Sequence, residues 1–208
     1  MKPESLIFDI DGTLWDSRSI IARGYNMVLE QAGYPELCVE AEYLKQLFGK
    51  TMTEIADIML TKVPVEERYE LMDKCMEVGD GLLLDDPCDI GYPGVLETLE
   101  KLAKNYRLFI VSNSQCGYPE TTINKLGLGH LIQGHMCFGD TGTDKGTTIR
   151  RLMERHGIEN AVYIGDTQGD YEASCKAGIP FVWASFGFGV PEGYDYKADS
   201  FPELAEIF

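Results

Sequence analysis

Short apolar runs recur along this chain, and each one ends on a polar residue. Ser5–Phe8 (SLIF) stops at Asp9, Arg107–Val111 (RLFIV) at Ser112, and Ala161–Ile164 (AVYI) at Gly165-Asp166. Pro180–Ala184 (PFVWA) is a fourth run, and His135–Phe138 is a shorter candidate. Between them the spacing of apolar positions becomes helical. Pro93–Lys104 sets Val95, Leu96, Leu99 and Leu102 on one stripe. Asp144–His156 groups Ile149, Leu152 and Met153 and meets a stop at Gly157, while a short helix over Glu172–Ala177 ends at Gly178. Strands that are apolar throughout and alternate with helices belong to a parallel sheet covered on both faces. The predicted fold is therefore α/β, a doubly wound parallel sheet of Rossmann-like type.

Residues 17–86 break this alternation. They carry only helical patterns, at Ser19–Gln31, Ala41–Phe48, Thr53–Lys62 and Glu66–Leu83. About 70 residues is long for a single crossover, so a small helical second domain inserted after the first strand is expected, with helices that simply pack on the sheet as the plainer alternative. The predicted division is an α/β unit of residues 1–16 plus 87–208 and a helical insert of residues 17–86. No internal repeat is visible.

Composition narrows the functional classes. The 208 residues hold 18 Lys and Arg against 34 Asp and Glu, a formal net charge of −16. No basic run exists to replace phosphate counterions, so no nucleic-acid partner is expected. No apolar run approaches the ~18 residues of a membrane span, and no membrane partner is expected either. The start, MKPESLIFDID, lacks a leader's apolar stretch, and a cytoplasmic location is expected. The six cysteines form no CxxC pair and are read as reduced, mostly buried thiols. His130, His135 and Cys137 lie near one another in sequence without a fourth ligand, so they are read as ordinary residues rather than a metal site. Aromatic residues are scattered and read as core, and the pattern does not select between a monomer and a dimer.

The residues at the strand ends carry the chemistry. In an open parallel sheet, ligands bind at the carboxyl ends of the strands. Asp9 and Asp11, two apart, place their side chains on one side of an extended chain. Asp166 leaves a neighbouring strand, with Asp170 four residues on. Grouped carboxylates need protons or a cation, and oxygen-only ligands favour Mg²⁺. Gly12 and Thr13 open a turn whose backbone N–H groups could face an anion. Ser112 offers a hydroxyl, and Lys145 a positive charge. Each piece also has a plainer reading: the aspartates as caps or turn residues, Asp166 and Asp170 as a solvated helix start, Lys145 as a helix-terminal residue. A lysine at a helix N-terminus opposes the helix dipole, which favours a functional reason. Four such pieces at different strand ends of one sheet point to a shared site.

The same residues resemble the motifs of the haloacid dehalogenase-like (HAD) hydrolase superfamily, in its phosphoglycolate-phosphatase-like branch. FDIDGTLWDS resembles the first motif, Val111-Ser112-Asn113 the second, Lys145 in TDKG the third and GDTQGD the fourth; PGVLETLEKL is also similar to this branch. The resemblance spans essentially the whole chain and implies that residues 1–16 plus 87–208 are the catalytic core and that the helical insert of residues 17–86 is the family's helical-bundle cap domain. It also implies the function, a Mg²⁺-dependent phosphatase acting on a small phosphorylated metabolite. By resemblance, Asp9 is the nucleophile that becomes an aspartyl phosphate, and Asp11 is the general acid and base. Mg²⁺ is held by Asp9, the Asp11 backbone carbonyl and Asp166, with Asp170 in support. Ser112 and Lys145 hold the phosphoryl oxygens; Gly12, Thr13 and Asn113 line the phosphate. Phe48, Lys50 and Thr51 lie where a cap loop of this branch reaches the active site, and Lys50 is expected to contact an anionic or polar part of the substrate.

Other readings are weighed on the same residues. Asp11 argues against a dehalogenase, which lacks that acid. Ile20 and Ile21 stand where a sugar phosphomutase of the β-phosphoglucomutase type carries a histidine in the early cap. A receiver-like phospho-switch would order its acids, hydroxyl and lysine differently and would not carry a helical insert of this size. Gly49-Lys50-Thr51 lacks the rest of a P-loop, and Gly187-Phe188-Gly189 lacks the third glycine of a dinucleotide fingerprint. Phosphoglycolate, sugar phosphates and nucleoside monophosphates (a nucleotidase) stay open as substrates.

Overall fold

The structure is a computed structural model and describes residues 3–208. Its contacts divide the chain into two compact units: the residues up to Asp16 together with Ile90–Phe208, and Ser17–Asp89. The second boundary falls three residues beyond the expected one. Asp86 follows the last helix of the helical unit, and its carboxylate accepts from the Cys88 backbone N–H. The first residue tied to the other unit is Ile90, whose carbonyl accepts from Asp16 N.

The α/β unit is built on six parallel strands: β1 (Ser5–Phe8), β2 (Arg107–Ser112), β3 (Ile132–Cys137), β4 (Ala161–Gly165), β5 (Phe181–Ala184) and β6 (Tyr196–Ala198). They are ordered β3-β2-β1-β4-β5-β6. The order reverses at β1, which runs beside β2 on one flank and β4 on the other; such a reversal opens a crevice at the strands' carboxyl ends. Phe8 is level with Ile110 and with Ile164. Asp9, Ser112 and Asp166 therefore leave the same edge of the sheet. The doubly wound parallel sheet expected from the apolar runs is the fold observed.

Four helices make up the helical unit: α1 (Arg18–Gln31), α2 (Ala41–Leu44), α3 (Met52–Met59) and α4 (Val65–Asp85). Its main seam runs between α1 and α4, and Thr51 starts α3 with a capping box to Glu54. The α/β unit carries α5 (Val95–Leu102), α6 (Tyr118–Lys125), α7 (Phe138–Thr141), α8 (Lys145–His156), α9 (Gln168–Ala177) and α10 (Leu204–Ile207). One face of its sheet buries Ile7, Phe109, Val111, Tyr163 and Phe181 against Ile149 and Leu152 of α8 and Ala173 of α9. Each large side chain so buried contributes roughly 1.5–3 kcal/mol, which holds the strand ends in register.

Some elements differ from the pattern-based expectation. β3 begins at Ile132 rather than His135, because an edge strand tolerates Gln133 and Gly134. Phe138 opens α7 instead of closing that strand. α6 and β6 bury few apolar residues and show no clear period. α9 starts at Gln168 rather than Glu172, through a cap described below. Of the cysteines, only Cys75 and Cys137 are buried; Cys38 is half-buried, and Cys88, Cys116 and Cys175 are exposed, which corrects the expectation of mostly buried thiols. The thiols of Cys116 and Cys137 both donate to Asp140. His130 and His135 face Glu100 and Glu120 respectively. No helix among the described residues is long and apolar enough to cross a membrane.

Candidate active site

Asp9 is still held by the sheet: its N–H donates to Ile164 O at 2.9 Å. The chain then turns sharply, with the N–H groups of Thr13 and Leu14 donating to Ile10 O and that of Gly12 to Trp15 O. The turn requires glycine at position 12. Its φ is +79°, and a Cβ there would lie 2.2 Å from Asp166 Oδ2. That carboxylate oxygen accepts the Phe188 N–H at 2.6 Å. Gly187 makes the approach possible, since a Cβ on it would lie 2.3 Å from Gly12 O and 2.4 Å from Asp166 Cβ.

The next acid is placed by helix capping. Thr167 is the N-cap of α9 and forms a capping box with Asp170. Asp170 Oδ2 accepts from Asp166 N (3.2 Å), Thr167 N (2.9 Å) and Thr167 Oγ1 (2.7 Å). Its other oxygen accepts from Lys145 Nζ at 2.6 Å, and the same ammonium donates to Asp9 Oδ1 at 3.0 Å. Asp144 caps α8 by accepting from Thr147 N and so sets Lys145 in the first turn. The two carboxylates offset the unfavourable helix dipole there.

Asp9, Asp166, Asp170 and Lys145 are all buried. Burial pushes the Asp9 carboxyl up to about 7, against the pull of Lys145. Asp166 is driven well above the carboxylate range, first by burial and then by the charges of Asp170 and Asp9. Burial also works against Asp170, but Lys145 and the Thr167 donors hold it below the ordinary value. Burial disfavours the Lys145 ammonium, yet Asp170 and Asp9 hold its affinity for a proton above the lysine range. Ligand oxygens of Asp9, Asp166 and Asp170 lie within 4.8 Å of one another. When ionised, these three carboxylates and one ammonium leave two negative charges. Asp166 Oδ1 is buried without a hydrogen-bond partner. An orphaned oxygen, an uncompensated charge of two and an all-oxygen donor set fit a hard divalent cation such as Mg²⁺.

The structure thus brings Asp9, Asp166, Asp170 and Lys145 together. Asp11 lies in the turn after β1 but outside the trio, its Oδ1 accepting from Trp15 Nε1 and Tyr118 OH. Ser112 is buried at the end of β2 and accepts from Ser114 N at 3.2 Å, so its own O–H remains to donate. Asn113 follows it in the same loop. One expectation is corrected. The backbone N–H groups of Gly12 and Thr13 do not face an anion, because the turn closes on itself and uses both; Thr13 Oγ1 is buried beside them without a partner. Asp170 is wholly buried, which excludes its plainer reading as part of a solvated helix start. Lys50 is exposed in the helical unit, between Gly49 and the cap residue Thr51.

The family model of the haloacid dehalogenase-like hydrolases matches residues 6–184, from β1 to the end of β5. The chain belongs to this family. Among its relatives are phosphoglycolate phosphatases from Aliivibrio fischeri, 26% identical with 96% of this chain and 90% of that protein covered, and from Aquifex aeolicus, 28% identical with 88% and 85% covered. A structure described as a predicted phosphoglycolate phosphatase from Haemophilus somnus superposes with a TM-score of 0.85 at 22% identity, covering 100% of this chain and 98% of that one. That likeness concerns the fold.

Sequence reasoning missed several residues of this HAD hydrolase site. The T-x-x-D pattern of Thr167 and Asp170 is a legible capping signature and would have placed the start of α9. Gly187-Phe188-Gly189, dismissed as a dinucleotide motif, cradles Asp166. Tyr118 carries no local signal, because it lies 107 positions from the acid it bonds.

Proposed function

We propose that this HAD hydrolase is a Mg²⁺-dependent phosphatase that cleaves a small phosphomonoester of the phosphoglycolate type through an aspartyl phosphate on Asp9. The buried Asp9–Lys145–Asp170 arrangement beside Asp166 carries the reading, since it supplies a fixed nucleophile and a cluster of carboxylate oxygens close enough to share one cation at the sheet's switch point. The likeness to phosphoglycolate phosphatases over nearly the full chain supports the substrate class.

Asp9 and Asp166, with the Asp11 backbone carbonyl and Asp170 in support, would hold Mg²⁺, whose charge would shield a phosphate dianion from the carboxylates. Lys145 anchors Asp9 Oδ1, orients the carboxylate for attack on phosphorus and, with the Ser112 hydroxyl, holds the transferring oxygens. As the bond from Asp9 to phosphorus forms, the ester P–O bond breaks and Asp11 gives its proton to the departing alcohol oxygen. Asp11, now a carboxylate, takes a proton from water as the water attacks the aspartyl phosphate. Phosphate leaves and both aspartates are restored.

The test is phosphate release from phosphoglycolate, sugar phosphates and nucleoside monophosphates, with and without EDTA, for the native chain and Asp9→Asn. Release from at least one ester, lost on chelation and lost in the variant, is expected. Turnover surviving full chelation defeats the metal-dependent reading, and turnover by Asp9→Asn removes the nucleophile. A product rephosphorylated at a new position instead of free phosphate replaces hydrolysis by a mutase.

A further inference from the structure

We propose that Trp15 and Tyr118 are positioning residues that anchor Oδ1 of Asp11, leaving Oδ2 as the oxygen that hands the proton to the leaving group. The inference rests on the phosphatase reading above, in which Asp11 is the acid and base.

Two donors meet on one oxygen. Trp15 Nε1 and Tyr118 OH each donate to Asp11 Oδ1 at 2.9 Å. Trp15 lies four residues from Asp11 in the turn after β1, while Tyr118 opens α6, on the far side of β2 in the chain. Both are built to stay in place. Trp15 is fully buried, its carbonyl accepts the Gly12 N–H, and its backbone bridges to Gly91. Tyr118 is 4% exposed. The two rings meet edge to face, with centroids 5.6 Å apart and planes at 77°, so each restricts the rotation of the other.

A carboxyl oxygen offers two lone pairs, and both on Oδ1 are engaged. The indole N–H can only donate, so a proton on Oδ1 would either displace a buried donor or force the Tyr118 hydroxyl to turn round and accept. The same proton on Oδ2 displaces neither. The carboxyl plane is held by the two bonds, and the O–H that must point at the leaving oxygen is specified by them. In the transfer the Oδ2–H bond breaks and the proton joins the alkoxide oxygen to complete the alcohol. The electron pair stays on the carboxylate, which keeps its two donors and is stabilised by them. Every atom and charge is accounted for without a further reactant.

Tyr118→Phe keeps the ring and removes one donor, so the proton can settle on either oxygen and the acid loses its orientation. The loss falls on the step that needs a proton. An alkyl phosphate must release an alkoxide and depends on that acid; p-nitrophenyl phosphate releases a stable phenolate and does not. The experiment measures single-turnover phosphoryl transfer from phosphoglycolate and the burst of p-nitrophenol, with Mg²⁺ present, in the native chain, Tyr118→Phe, Trp15→Phe and Asp11→Asn. Expected for Tyr118→Phe is a loss of about tenfold or more with phosphoglycolate, KM within about threefold of native, and a burst rate within about threefold of native. Trp15→Phe should show the same split, which keeps the test alive if one variant does not fold. Asp11→Asn sets its upper limit. Equal slowing of both transfers in a folded variant, or no slowing with phosphoglycolate, overturns the positioning role while leaving the phosphatase reading intact. A native chain that cleaves neither ester defeats the phosphatase reading itself.

Discussion

Replacing Asp9 with asparagine should stabilise the metal-free protein and remove its stabilisation by Mg²⁺. The Asp9 carboxyl is buried among other acids, and its pKa is pushed from 3.8 up to about 7. A carboxyl raised in this way keeps its proton in the folded state longer than in the unfolded chain. Below about pH 4 both states are protonated and there is no penalty. Between about pH 4 and pH 7 the unfolded chain ionises first, so the folded state loses stability as pH rises; above about pH 7 the loss levels off. Roughly three pH units at about 1.4 kcal/mol each set a full loss of about 4 kcal/mol, of which about 1.5 kcal/mol is already present near pH 5. Asparagine has no such titration. The stability difference between Asp9→Asn and the native chain should therefore shift in the variant's favour by about 2.5 kcal/mol between pH 5 and pH 8, or about 5–10 °C in Tm for a chain of this length. The assay is thermal unfolding by circular dichroism in EDTA at the two pH values, repeated with excess Mg²⁺. Magnesium should raise the native Tm and leave that of the variant nearly unchanged. If the difference does not widen with pH, burial does not raise the Asp9 carboxyl as inferred; if Mg²⁺ raises both proteins equally, Asp9 does not hold the ion.

Four further outcomes are expected, two of them already set out above: loss of phosphate release on chelation and in Asp9→Asn, and the leaving-group split of Tyr118→Phe. Gly12→Ala places a methyl in a left-handed backbone, against Asp166 Oδ2. It should cost about 1–2 kcal/mol in urea unfolding and weaken Mg²⁺ binding, measured by calorimetry, about tenfold or more; unchanged Mg²⁺ affinity would show that Asp166 does not hold the ion. Lys145→Met leaves Asp9 and Asp170 without their shared ammonium. It should cost roughly 3–5 kcal/mol in EDTA at neutral pH by denaturant unfolding, and a cost below about 1 kcal/mol would mean the ion pairs are not buried as described.

Several elements were readable because burial acts locally on composition. Strands with both faces covered must be apolar throughout, so β1, β2, β4 and β5 stand out as SLIF, RLFIV, AVYI and PFVWA. β6 and α6 were not readable for the converse reason: one is a short, largely exposed edge strand, and the other presents few apolar side chains to the core. Thr167 and Asp170 form a hydrogen-bonded cap within four residues, a signature that is legible in the sequence.

By itself, the order of residues determined the parallel sheet, the placing of Asp9 and Asp166 at strand ends and that of Lys145 at a helix start, because periodicity and chain connectivity are local properties. Only the tertiary structure decided which oxygens face which donors. Trp15 and Tyr118 converge on Asp11, Phe188 reaches Asp166, and Gly12 and Gly187 make room for that acid. These contacts join residues that are distant in sequence or turned by the backbone, and hydrogen bonding is set by ångström-scale geometry that no spacing rule encodes.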